Sequence, residues 1–188
     1  MQEKLRIGSL HDCALPDLQL RMTVQNTKEP ADFVREIIDE WMNRRPLPFL
    51  KYFIRPGFRR FIKTIKARGL KLGVYSDYPC INKLEHMKIV DCFSTIVTSF
   101  DPEVLRFKPD PKGFLISSKK LGLNPDEILF IGDREKVDAA GAARCGMQVV
   151  LVGGLLKTKS LSKKYPRYRS FNVICEEIFD SASISQSE

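Results

Sequence analysis

Between residues 30 and 43 the apolar residues come in pairs four positions apart, Phe33/Val34, Ile37/Ile38 and Trp41/Met42. At 3.6 residues per turn these fall on one side, which predicts an amphipathic helix. The next stretch, "RRPLPFLKYFIRPG", breaks the period with three prolines and a glycine; proline has no N–H to give a helix and crowds the preceding turn. It marks a boundary between an N-terminal helical segment, residues 1–55, and a main domain, residues 56–180.

From Gly57 onward helical and extended patterns alternate. Phe58, Phe61, Ile62 and Ile65 recur at helical spacing and Gly69 closes that helix before an apolar strand, Leu70–Tyr75. A helix over Asn82–Lys88 leads to a short strand within "FSTIVTSF", and a further helix starts at Pro111, with Asp110 as its N-cap, and stops near Gly122. "EILFIGD" reads as a strand, "KVDAAGAARCG" as a helix of small residues, "MQVVLV" as a strand and Phe171–Ile174 as a last strand, before a polar tail at 181–188 expected to be disordered. Strands that are apolar on both faces, separated by helices, imply an α/β fold: a three-layer, Rossmann-like parallel sheet. Ligands in such folds bind beyond the carboxyl ends of the strands.

The 188 residues, 43% hydrophobic and 29% charged, suffice for one such core. No apolar run approaches the length of a membrane span and "MQEKLRIGSL" lacks the apolar centre of a secretory signal, so a cytoplasmic protein with no membrane partner is expected. Five scattered cysteines (Cys13, Cys80, Cys92, Cys145, Cys175) and two distant histidines (His11, His86) indicate neither a disulfide framework nor a zinc site. A net charge of +8, concentrated in "KTKSLSKKYPRYR" and at Arg55, Arg59, Arg60, Lys63 and Lys66, favours anionic partners in general. Tyr165 and Tyr168 could stack on bases, but no nucleic-acid module surrounds them, and a solvated basic face is the preferred reading.

Three polar clusters fall at predicted strand ends: Ser76-Asp77 in "GVYSD", Lys108 in "RFKPDP", and Gly132-Asp133 with Asp138 in "IGDREKVD". Ser76 to Lys108 spans 32 positions and Lys108 to Asp133 a further 25, each about one strand-plus-helix unit, so the clusters can meet at one edge of the sheet. A hydroxyl, an ammonium and two carboxylates suit a phosphate with a divalent cation. Taken singly, each cluster also reads as a turn, an exposed lysine or helix-terminal charges. The ordered set favours a site.

On these motifs the chain resembles the haloacid dehalogenase superfamily of aspartate-nucleophile phosphohydrolases: "GVYSD", "KPDP" and "IGDREKVD" match its second, third and fourth motifs. The resemblance implies Ser76, with Asp77 beside it, and Lys108 as phosphate-binding residues, and Asp133 and Asp138 as ligands of Mg2+. It also implies a small phosphorylated substrate, and residues 30–45 resemble the tail of the family's helical cap. The first motif, an apolar strand ending in Asp-x-Asp-Gly-Thr that carries the nucleophile, is missing. "LRIGSLHDCALPD" offers only Asp12.

That strand lies centrally in the family, between those carrying the second and fourth motifs. Four readings follow: a start further upstream, a strand supplied by a separate chain or a second copy, occupation of the slot by Lys4–Leu10, or abandoned catalysis. The first is preferred because the other motifs are intact. The expectation is a magnesium-dependent phosphatase that turns over phosphate esters poorly or not at all in this form. The alternative is a non-catalytic phospholigand-binding or regulatory module.

Overall fold

The computed structural model of the chain describes residues 15–153 and 164–180. Asp12, His11, Cys13, Lys4–Leu10, Lys157, Lys159, Lys163 and the tail at 181–188 lie outside the described residues. The predicted amphipathic helix is present as α2 (Ala31–Ile38), preceded by α1 (Leu15–Thr27) and continued by a π-helical stretch, Asp39–Arg44. Only Val34 of its apolar stripe is buried; Phe33, Ile37 and Trp41 are exposed. The proline-rich stretch forms a 3-10 turn, Leu47–Tyr52.

Helix α3 (Phe58–Ala67) buries Phe61, Ile62 and Ile65 and leads to strand β1 (Gly73–Ser76). There follow α4 (Ile81–His86), β2 (Thr95–Thr98), α5 (Lys112–Leu121), β3 (Leu129–Gly132), α6 (Ala140–Arg144), β4 (Gln148–Val152), β5 (Arg167–Tyr168) and α7 (Phe171–Ile174). β1 starts three residues later than its apolar run. Leu70 still returns its N–H to the Ile65 carbonyl and finishes the helical turn, while Lys71 Nζ donates to the Leu121 carbonyl at the end of α5. α5 starts one residue later than expected and its N-cap is Pro111, not Asp110; Asp110 still accepts the Lys112 N–H at 2.9 Å from one position further out.

All strand pairs are parallel: β1 with β2, β3 with β4, and β4 with β5. The described strands form two sheets, β1-β2 and β3-β4-β5. Phe171–Ile174 is a correction to the sequence reading: it is helix, running on as a π-helical stretch, Cys175–Asp180. Four apolar-rich residues cannot separate strand from helix. Phe171, Ile174, Cys175 and Phe179, at helical spacing, pack with Phe61 and Ile65. The last strand is instead Arg167–Tyr168, inside the basic stretch.

Two core clusters flank the strands. One centres on Phe61, Ile65, Val152, Phe171 and Ile174, the other on Phe114, Val97, Val104 and Leu151. The fully buried Phe114 ring meets Tyr75 of β1 edge-on at 4.9 Å and Phe130 of β3 at 5.0 Å, so one side chain joins the two sheets. A cavity of about 480 Å3 is lined by residues of both sheets, among them Gly73 and Val74 of β1 and Leu129 and Ile131 of β3. Among the described residues, no helix is long and apolar enough to cross a membrane.

Candidate functional site

Lys108 connects the carboxyl end of one sheet to that of the other. It sits in the loop between β2 and α5, and its Nζ donates to Asp138 Oδ1 at 2.8 Å, beyond β3, and to the Tyr75 carbonyl at 3.4 Å, in β1. Its backbone N–H donates to Asp77 Oδ1 at 2.9 Å. The three side chains are nearly inaccessible, with 6% of Lys108, 4% of Asp77 and 4% of Asp138 exposed. The three clusters singled out by their spacing therefore do meet.

Asp138 is fixed from both sides. Its Oδ2 accepts the N–H groups of Asp133 at 3.3 Å and Arg134 at 3.0 Å, where the chain turns out of β3. Gly132 allows the close approach: a Cβ there would lie 2.5 Å from Asp138 Cβ. Burial alone would push the Asp138 carboxyl up, but the charge and hydrogen bond of Lys108, with the Arg134 N–H, hold it below the usual carboxylate range. A carboxylate with a lowered folded pKa stabilises the fold above its unfolded value and ceases to do so as pH falls through the folded one. The protein is expected to lose stability on acidification below about pH 4. Asp138→Asn should flatten that limb in urea unfolding followed from neutral to acid pH; parallel limbs would refute the assignment.

Asp77 is placed to organise the loop. Its oxygens accept the Lys108 N–H, Ser99 Oγ at 3.3 Å and Arg134 Nη2 at 3.2 Å, so this carboxylate faces cations and N–H donors, surroundings that suit it better than an anionic ligand would. Ser76 Oγ accepts the Tyr78 N–H at 3.2 Å, which leaves its own proton as the group it can offer. Tyr78 and Phe107, the neighbours of these motifs, pack together with Leu18 and Met22 of α1, so the N-terminal helix rests beside the site.

Arg134 and Arg55 were not singled out as site residues by the sequence. The Arg134 guanidinium sits among three carboxylates: its Nη2 is 3.2 Å from Asp77, and its Nε is 3.6 Å from Asp138 and 4.0 Å from Asp133. Burial lowers its pKa, and the charges of Asp138, Asp77 and Asp133 more than reverse this, raising it. Arg55 Nη2 donates to Asp133 Oδ2 at 3.1 Å, and Arg167 Nη1 to the Asp133 carbonyl at 3.4 Å. Room for Arg55 comes from Gly153, at φ +109°, where a Cβ would lie 2.6 Å from Arg55 Nη1. The available signal was a basic residue inside the acidic phrase "IGDREKVD".

Among the described residues no three Asp, Glu, His or Cys side chains form a metal-binding group. Asp133 and Asp138 supply two carboxylates, and magnesium is commonly bound by one or two carboxylates with water and phosphate oxygens completing its shell. Arg134 shows that the local field favours a cation. The donor set fits a hard divalent ion that shares its coordination with a phosphorylated ligand.

The family model described as haloacid dehalogenase-like hydrolase matches residues 10–146. YhcW of Bacillus subtilis (strain 168) is 36% identical over 136 residues, covering 65% of this chain and 60% of that protein. Phosphoglycolate phosphatase of Salmonella paratyphi A is 33% identical over 97 residues, covering 50% of this chain and 38% of that protein. The chain thus spans less than two thirds of these relatives. Among solved structures, beta-phosphoglucomutase of Clostridium difficile superposes with a TM-score of 0.58 at 26% identity, covering 71% of this chain and 60% of that one. A haloacid dehalogenase phosphatase from Thermococcus onnurineus gives 0.61 at 21% identity, covering 85% and 86%, a likeness of fold.

Proposed function

Because the chain belongs to the haloacid dehalogenase-like hydrolase family, we propose that its strand-end cluster binds the phosphate group of a small phosphorylated metabolite together with Mg2+. Ser76 and Lys108 contact the phosphate, Asp133 and Asp138 hold the metal, and Asp77 positions Lys108. The observation that carries this reading is the Lys108 ammonium, 2.8 Å from Asp138 and 3.4 Å from the Tyr75 carbonyl, which gathers the ends of two separate sheets into one polar site. The relatives named for phosphoglycolate and phosphoglucose chemistry support a phosphorylated ligand. Bound magnesium would supply positive charge to the phosphoryl oxygens. Helices α1 and α2 form part of a cap over the site, a reading supported by the packing of Leu18 and Met22 against Phe107.

Turnover by this form is expected to be slow or nil. The described carboxylates at the site are each engaged by a cation, Asp138 by Lys108, Asp77 by Arg134 and Asp133 by Arg55. This engagement favours, as a second reading, a module that binds a phosphorylated ligand without hydrolysing it.

One experiment separates the readings: titration of the full chain with inorganic phosphate and magnesium, followed by assay of an aryl phosphate, for the wild type and Asp133→Ala. Magnesium-dependent phosphate binding, weakened at least about tenfold in the variant, is expected. Hydrolysis lost in the variant supports the phosphatase; binding without hydrolysis supports the second reading. Absence of magnesium-dependent binding overturns both.

A further inference from the structure

Three carboxylates at the strand ends are each matched by a cation. Asp138 pairs with Lys108 at 2.8 Å, Asp133 with Arg55 at 3.1 Å and Asp77 with Arg134 at 3.2 Å. A divalent ion held by Asp133 and Asp138 adds two positive charges to this balanced group. Like charges a few ångströms apart repel strongly where water is scarce, so a resident cation has to give way.

The three cations differ in how readily they can. Lys108 is fixed, because its side chain is only 7% exposed and its Nζ also donates to the Tyr75 carbonyl. Arg55 reaches Asp133 alone, with its guanidinium against the backbone of Gly153. Arg134 faces both carboxylates, its Nε 3.6 Å from Asp138 Oδ2 and 4.0 Å from Asp133 Oδ1. Its side chain is 45% exposed, so water is open to it. Its backbone N–H stays on Asp138 Oδ2 at 3.0 Å, which lets the side chain swing away while the main chain remains in place.

That departure orphans no buried carboxylate. Asp77 keeps the Lys108 N–H at 2.9 Å and the Ser99 hydroxyl at 3.3 Å. Asp138 keeps the Lys108 ammonium and the N–H groups of Asp133 and Arg134. Without these bonds the exchange would leave a buried charge uncompensated, at a cost that forbids it. A purely structural role for Arg134 would need only its contact with Asp77, whereas the guanidinium also lies across Asp133 and Asp138.

We infer that Arg134 is a tethered cation that occupies the gap between the three carboxylates until a divalent ion displaces it, so that the chain itself sets the affinity of the site for Mg2+. The inference rests on the reading of Asp133 and Asp138 as metal ligands and adds to it the residue against which the metal competes.

The test titrates the full chain with magnesium chloride by calorimetry, at constant ionic strength, for the wild type, Arg134→Met and Arg134→Lys. Arg134→Met, which keeps an unbranched stem and loses the charge, is expected to bind Mg2+ at least about tenfold more tightly than the wild type. Arg134→Lys, which keeps the charge, should gain less. In the wild type the Arg134 Nε–H resonance should move toward that of a solvated arginine as magnesium is added, a readout that needs no variant to fold. Equal or weaker metal binding by Arg134→Met, equal gains in the two variants, or an Nε–H resonance unmoved at saturating magnesium would overturn the inference and leave the metal reading standing. Tighter metal binding by Arg134→Met with no response to inorganic phosphate would support the inference and remove the phosphate reading. Absence of metal binding in all three proteins would overturn both.

Discussion

Replacing Lys108 with methionine is expected to destabilise the protein by about 3–5 kcal/mol, the cost of removing one member of a buried ion pair. Asp138 would keep the N–H groups of Asp133 and Arg134 but lose the charge 2.8 Å from Oδ1, at a site where only 4% of the residue is exposed. With a total stability of about 5–15 kcal/mol for an ordinary domain, this is a large share. The size of the pH response identifies the cause. Burial pushes the Asp138 carboxyl up, and Lys108 is the first influence that brings it down. In the variant, where Arg134 Nε remains 3.6 Å away, the carboxyl should titrate higher than in the wild type, so less stability is lost on acidification. The double variant Lys108→Met/Asp138→Asn should recover more than half of the loss. Urea unfolding at neutral pH and at about pH 5 checks this; a loss at neutral pH below about 1 kcal/mol, or an unchanged pH response, would count against the pair.

Phe114→Ala is expected to cost a similar amount, about 3–5 kcal/mol. The ring is fully buried and makes edge-on contacts with Tyr75 and Phe130, each worth about 0.5–1.5 kcal/mol beyond the area it covers. It also borders the inter-sheet cavity, so its deletion enlarges a void instead of leaving an isolated one. Because the ring spans both sheets, the effect should appear as partial uncoupling. Amide exchange is expected to accelerate in β1-β2 and β3-β4 by different factors, while Phe114→Leu, which keeps most of the volume, loses less. Denaturant midpoints and exchange rates measured together decide; equal acceleration everywhere would mean that Phe114 fills space without joining the sheets.

The meeting of the three clusters was legible because Ser76 closes β1, Asp133 follows β3 and the intervals between the clusters match a strand-plus-helix unit, whereas Lys108 and Asp138 reach the same place from beyond their strands. Topology then brings them together. The place of Arg134 was not legible: its partner Asp77 is 57 positions away in sequence, and a basic residue inside "IGDREKVD" does not say which distant carboxylate it meets. The stripe in α2 illustrates a different limit. Periodicity correctly marked a helix, but it reports only that one face is apolar, and Phe33, Ile37 and Trp41 face solvent. At Phe171 the run was too short for periodicity to decide, and Phe179, eight positions on, completes the helical pattern that packs against Phe61.

The division into two sheets also has a consequence for chain entropy. The β1-β2 pairing joins Gly73 to Thr95, and the β3-β4 pairing joins Leu129 to Gln148. Each closes a loop of roughly 20 residues, so the length-dependent part of the closure cost is about 2.7 kcal/mol for either pairing. Neither pairing has to wait for the other. The remaining ordering falls on the docking of two locally closed halves, a step in which Phe114, Lys108 and Arg134 all take part, one apolar and two charged side chains that contact both sides of the gap.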